Sequence, residues 1–214
     1  MSGSPPAGRP TVITPDPRPA PDTADESAGV AARRFPTPMR LPRELPGRQT
    51  PAVVVQVSPA RLEWLEALAE GDDVFTERFG IAVETGWAGF PEALPAAVET
   101  ARRRPEDDPW GTHVFFADDG ALVGLGGFYG PPVDGMVEIG YAVAPSRQGQ
   151  GIATAAVDTL LARAAEAGVP VVIAHTLAEV NPSTSVLGRT GFVRTSAQDD
   201  PDLGEVWRWE HVTG

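Results

Sequence analysis

The sequence predicts an α/β domain, a mixed sheet of about seven strands with helices on its faces, placed behind a disordered tail. Three observations carry this. The first 50 residues hold 11 of the chain's 23 prolines and few bulky apolar side chains, so they bury too little surface to offset the entropy of ordering. From residue 52 onward, strand-like and helix-like stretches follow in the order β, α, α, three strands, α, β, α, two strands. The stretch "APSRQGQGIAT" (144–154) joins a strand to an alanine-rich helix through two glycines. Residues 1–50 are therefore expected as a proline-rich disordered tail and 51–214 as the folded domain.

Each element has a local reason. "AVVVQV" (52–57) is rich in β-branched residues and reads as a strand. "SPARLEWLEALAEG" reads as a helix with Ser58 at its N-cap, Pro59 at its first position and Gly71 closing it. A short helix around "DVFTERFG", a loop with Trp87 and Phe90, and a helix from about Pro91 to Arg104 come next. "THVFFA" and "ALVGLGGFYG" flank Asp119 and Gly120 as a hairpin. "MVEIGYAVA" (136–144) is a strand, and "GIATAAVDTLLARAAEAG" is a helix stopped by Gly168 and Pro170. "VVIAHTL" is a buried strand, "SVLGRTG" a short helix, and "FVRTSA" with "EVWRWEHV" a closing strand pair.

Composition removes several function classes. With no cysteine, the chain has no disulfide, no thiolate-bound zinc and no thiol nucleophile. The net charge of −12 opposes general binding to a phosphate backbone, so nucleic acid is not an expected partner. Neither a signal peptide nor a long apolar run stands in the sequence, so no membrane partner and a cytoplasmic location are expected. His113 and His211 have no partner ligands at metal spacing, and "DDPDLGE" (199–205) lacks the calcium-loop order, so no metal is expected.

The glycine turn carries the chemistry. The first turn of a helix leaves amide N–H groups without acceptors, and the helix dipole adds about half a positive charge there. Gly149 and Gly151 remove the Cβ atoms that would hold a phosphate away, and Ala153 keeps the first turn narrow. Charge-assisted hydrogen bonds contribute roughly 1.5–3 kcal/mol each, whereas distant surface carboxylates are screened beyond about 8 Å. There is no P-loop pattern. "GLGGFYG" (124–130) lies inside a strand and reads as small residues admitting a neighbour.

With "QGQGIA" (148–153) after the strand "VEIGYAVAP", and "NPSTSVLGRTGF" (181–192) later, the chain resembles the GCN5-related N-acetyltransferase superfamily. "GEVWRWE" (204–210) is similar to the last strand of its branch containing the ribosomal-protein alanine N-acetyltransferases, and the likeness spans roughly 52–213. The resemblance implies a sheet whose central parallel strands splay apart, with acetyl-CoA as co-substrate and its pantetheine arm in the gap, pairing with strand backbone at Ala142 and Val143. It implies that Gln148, Gly149, Gln150, Gly151, Ile152, Ala153 and Thr154 form the diphosphate site. Asn181 and Thr184 are implied at the arm; read from the residues alone, Asn181 is a turn former and Ser183 or Thr184 a helix cap.

An alkyl amine with a pKa near 10 is mostly protonated at neutral pH, so a base is required before it attacks a thioester. Glu138 shares a strand face with Gly140 and Ala142, and two roles are open to it: general base, or plain strand glutamate. His175, at a strand end, is open to an acid–base role or a structural hydrogen bond. The oxyanion is expected to meet strand amide near Ala142 and Val143. Many members of the superfamily carry a Tyr five residues before the final Phe of the second motif; Leu187 stands there, and Tyr141 is open to two roles, substitute acid or core aromatic. Asp73, Phe75 and Trp87 are candidates for a cationic acceptor through charge and cation–π attraction, or else fill the core. The implied activity is acetyl transfer from acetyl-CoA to a peptide N-terminus or small amine by direct attack in a ternary complex, in a monomer or homodimer. The alternative is a catalytically silent acyl-CoA-binding regulatory module.

Overall fold

The computed structural model describes residues 55–104, 108–201 and 203–214; the tail expected over 1–50 and the start of the first expected strand lie outside them. Along the chain, β1 (Gln56–Pro59), α1 (Leu62–Glu70) and α2 (Asp72–Phe79) precede a short 3-10 turn, Pro91–Ala93, that runs into α3 (Leu94–Arg103). Then come β2 (Thr112–Phe116), β3 (Leu122–Phe128), β4 (Met136–Val143), α4 (Ile152–Glu166), β5 (Val171–Leu177), α5 (Pro182–Arg189), β6 (Val193–Asp200) and β7 (Gly204–Val212).

These seven strands form one mixed sheet in the order β1-β2-β3-β4-β5-β7-β6. Every neighbouring pair is antiparallel except β4 with β5, whose parallel ladder comprises Met136 with Val171, Val137 with Val172 and Glu138 with Ile173. Beyond that third pair β4 continues to Val143 and β5 to Leu177 without pairing to each other. The two central strands part there.

Strand alternation sends side chains into two cores, one on each face. On one face Leu68 of α1, Phe75 of α2, Leu94 of α3 and Trp87 pack on Val114, Phe116 and Leu122. On the other, Val137, Ile139 and Tyr141 of β4 and Val172 and Ala174 of β5 meet α4 and Leu187 of α5. Helix α4 buries Ile152, Ala156, Val157, Leu160, Leu161 and Ala164, a stripe at helical spacing, and each large aliphatic side chain so buried contributes about 1.5–3 kcal/mol. Gly168, at φ 72°, ends it with the left-handed residue that a helix terminus favours.

Two local expectations fail for tertiary reasons. Ser58 and Pro59, expected as cap and first residue of a helix, lie in β1, where they pair with Val114 and His113 of β2. Helix α1 starts at Leu62, after Arg61. Pro59 is tolerated because β1 is an edge strand whose outer side needs no ladder donor. Asn181, not Ser183 or Thr184, caps α5, so that helix begins before "SVLGRTG". The small residues of β3 do admit neighbours: a Cβ at Gly126 would lie 2.5 Å from the Gly140 carbonyl and 2.7 Å from the ring of Phe115.

Candidate active site

Strand β4 ends at Val143, and one 3-10 turn, Pro145–Arg147, leads to Gly149 and Gly151, at φ 74° and 85°. Both need the left-handed region, which explains glycine at each position. Among the described residues no carbonyl accepts from the amides of Gly149 through Thr154; the first bond of the helix start runs from the Ala155 N–H to the Gly151 carbonyl, 3.0 Å. Gly149 has open space where a Cβ would project. A row of unbonded amides at the positive end of a fifteen-residue helix has the polarity to receive an anion.

Arg147 stiffens the approach to this turn rather than offering its charge. Its guanidinium donates to Glu84 at 2.8 Å and to Asp119 at 2.7 Å, and Ser146 donates to Glu84 at 2.8 Å. The Ser146 and Arg147 hydrogen bonds hold the Glu84 carboxyl below its usual range, and Arg147 does the same to Asp119. Gln148 and Gln150 donate to the carbonyls of Val143 and Ser146, fixing the loop without covering its amides.

Next to the turn lies the gap between β4 and β5. The N–H of Tyr129 donates to the Glu138 carbonyl and that of Ala144 donates to the Val123 carbonyl, so the even-numbered residues of β4 bond towards β3. By alternation Ile139, Tyr141 and Val143 turn their backbone groups towards β5, where the ladder has stopped. Of the two amides expected to meet an oxyanion, Val143 therefore presents its N–H to the gap, while Ala142 bonds towards β3.

Asn181 caps α5 by accepting from the Thr184 N–H at 3.0 Å, and Thr184 Oγ1 accepts from the Asn181 N–H at 3.1 Å, a reciprocal capping box. The cap uses Oδ1 only: Asn181 is 8% exposed, and its Nδ2 is buried without a protein partner. A buried amide donor left unpaired is costly unless a ligand meets it.

On the opposite face of the sheet from α4, Glu138, Gly140 and Ala142 line a cavity of about 830 Å³ with Ala96, Ala97 and Thr100 of α3, Phe90, Tyr129 and Ile173. Among the described residues its charged lining is Glu92, Asp134 and Glu138, all acidic. Tyr129 brings its hydroxyl over Gly140, where a Cβ would stand 2.2 Å from the phenolic oxygen. Glu138 Oε1 lies 2.8 Å from His175 Nδ1, and His175 Nε2 lies 2.9 Å from Gln198 Nε2.

Most other sequence candidates lie away from the cavity. Phe75 is fully buried and Trp87 nearly so, with the Trp87 indole donating to Asp72; neither they nor the exposed Asp73 line the cavity. Tyr141 points its ring into the α4 core, and its hydroxyl donates to the Ser183 carbonyl at 3.2 Å. Burial pushes that phenol's pKa far up. Leu187 is a core residue. The linkage of Glu138 to His175 and the cavity residues Glu92, Tyr129 and Asp134 escaped the sequence because they depend on strand register and loop path.

No helix among the described residues is long and apolar enough to cross a membrane. A family model described as an acetyltransferase (GNAT) domain matches residues 58–193. No curated protein matches. Among solved structures the chain is similar to RimL, a ribosomal L7/L12 alpha-N-protein acetyltransferase in complex with coenzyme A (TM-score 0.57, 16% identity, 74% of this chain and 93% of that one). It is also similar to a ribosomal-protein-S5-alanine acetyltransferase from Vibrio fischeri (0.56, 15%, 74% and 93%). A third is a chimera of the spermidine N-acetyltransferase SpeG from Vibrio cholerae and hSSAT (0.56, 14%, 74% and 95%). These identities speak for the fold; the family model spans well over half of the chain, and the protein belongs to the GNAT acetyltransferase family.

Proposed function

We propose that the protein transfers an acetyl group from acetyl-CoA to a primary amine, a small amine or a peptide N-terminus, by direct attack in a ternary complex. The observation that carries this is the parting of β4 from β5 after Glu138 and Ile173, beside a turn whose amides from Gly149 to Thr154 have no acceptor. The residues present fit the co-substrate. The free amides of Gly149, Gln150, Gly151, Ile152, Ala153 and Thr154 would hold its diphosphate, with Gln148 bracing the loop. The buried, unpaired Nδ2 of Asn181, oriented by Thr184, would donate to the pantetheine arm, and backbone turned to the gap at Val143, beside Ala142, would pair with it.

When bound, acetyl-CoA supplies an acyl group already activated as a thioester. The chain's own residues then do three things. Glu138 accepts the proton of the incoming amine, a contribution of roughly 10²–10⁴ in rate. The Val143 N–H stands as donor to an oxygen gaining negative charge in the gap. Tyr141, its hydroxyl bonded to Ser183, anchors α5 on β4; a thiolate with a reference pKa near 8.5 leaves without a dedicated acid. The acidic charges that the described residues bring to the cavity favour an acceptor that arrives as a cation.

Release of coenzyme A thiol over a panel of amines and N-terminal peptides tests this, and a cysteine-free chain adds no thiol background. We expect acceptor-dependent release, strongest with cationic amines, and a loss of about 10²–10⁴ in turnover for Glu138→Gln. Binding of acetyl-CoA with no release on any acceptor would instead favour the silent acyl-CoA-binding module.

A further inference from the structure

The closing hairpin is wired to the candidate base through one histidine. Glu138 and Ile173 form the last pair of the parallel ladder, and His175 lies two residues further along β5, on the face that Ile173 presents to the cavity. His175 Nδ1 is 2.8 Å from Glu138 Oε1, so a side-chain bridge spans the two strands just past the point where their backbone bonds end. The pair is sheltered, with side-chain exposures of 10% for His175 and 13% for Glu138.

The second ring nitrogen defines the tautomer. His175 Nε2 lies 2.9 Å from the amide nitrogen of Gln198, on the edge strand β6. An amide nitrogen donates and does not accept. His175 Nε2 is therefore the bare, accepting nitrogen, and the proton of the neutral imidazole sits on Nδ1, from which it is donated to Glu138.

On the reading of Glu138 as the base, we propose that His175 is its positioning residue: a neutral imidazole, oriented by Gln198, whose Nδ1–H fixes the ionised carboxylate at the cavity wall. A glutamate on a strand has three rotatable bonds, and misplacing a base by about 1 Å costs on the order of 10² in rate. The charge-assisted bond from Nδ1 removes that freedom at one carboxylate oxygen. Gln198 belongs to β6, whose residues Val193 to Asp199 are exposed, so this exposed hairpin takes part in the chemistry by holding the imidazole that holds the base.

Variants at His175 test the assignment with intact protein. His175→Asn places an amide N–H where Nδ1–H stood, whereas His175→Gln reaches towards Gln198. We expect His175→Asn to keep kcat within about threefold, and His175→Ala and His175→Gln to lose about 10²-fold, with the Kd for acetyl-CoA unchanged in all three. The 15N spectrum of the imidazoles should show His175 protonated on Nδ1 and bare on Nε2, its signals assigned by their loss in His175→Asn. An unchanged kcat in His175→Ala, equal impairment in the Asn and Gln variants, or a proton on Nε2 overturns the proposal. Should His175→Ala fail to fold, the Asn and Gln pair decides alone. Glu138→Gln separates the two ideas: normal turnover there removes the base itself, whereas a slow Glu138→Gln beside a fast His175→Ala removes only the positioning role.

Discussion

Gly151 and Asn181 matter for what their side chains leave free. Gly151 sits at φ 85°, where a Cβ costs about 1–2 kcal/mol, and it starts a helix whose first amides have no acceptor. Gly168 holds a similar φ of 72° at the other end of the same helix, away from the turn. Gly151→Val is therefore expected to weaken acetyl-CoA binding at least tenfold by calorimetry, while Gly168→Ala lowers thermal stability and leaves binding alone. Gly151 was legible in the sequence within the motif "QGQGIA" at a strand-to-helix turn, and Gly168 as a helix stop. The aromatic residues were not: Phe75, Trp87 and Phe90 have the same composition signal, yet only Phe90 reaches the cavity. Core and lining aromatics differ in which face of an element they occupy, and a loop has no periodicity from which to read a face.

At the level of elements, α5 starts at a residue that caps it with one side-chain atom and is proposed to bind with the other. Asn181 Oδ1 caps the helix and its Nδ2 remains unpaired. Asn181→Asp keeps the accepting oxygen and removes the donor, so it should hold the melting temperature within a few degrees while raising the KM for acetyl-CoA about tenfold; Asn181→Ala should lose both, with about 1 kcal/mol of stability. A fall in stability without a change in KM for the Asp variant would leave Asn181 as a cap and no more. The order of strands and helices followed from periodicity and turn chemistry, and the helical stripe of α4 was plain from Ile152 to Ala164. Where local preference and pairing disagreed, pairing won: Ser58 and Pro59 carry a helix-start signal, yet β2 draws them into the sheet. Register is invisible to such reasoning. The meeting of Glu138 with His175 depends on Glu138 standing opposite Ile173, a fact of the parallel ladder and not of either strand's sequence.

Across the whole molecule, two sheet faces divide the labour, one carrying α4 and the core beneath it, the other the acidic cavity. The core of the first face includes a pH-sensitive element. His113 is fully buried beside Phe128, its Nδ1 donating to the Gly111 carbonyl, and burial, reinforced by the Arg163 charge, pushes its pKa down to about 4. The folded state thus prefers the neutral ring, and between pH 6.5 and about 4 the unfolded chain binds a proton that the folded chain does not. Stability should fall as pH drops through that window, by an amount on the order of 3 kcal/mol, and denaturant unfolding of His113→Asn should show a shallower fall than the parent chain. On the proposed function, backbone amides after β4 grip a diphosphate while the parted strands receive the arm that follows it. Isothermal titration with acetyl-CoA and with acetyl-pantetheine, which lacks the diphosphate and the phosphorylated adenosine beyond it, tests this grip. One acetyl-CoA per chain is expected, with an affinity at least about a thousandfold weaker for acetyl-pantetheine, which forfeits three or so charge-assisted hydrogen bonds to the diphosphate along with the nucleotide's contacts. No heat with acetyl-CoA, or equal affinity for the two compounds, would contradict it.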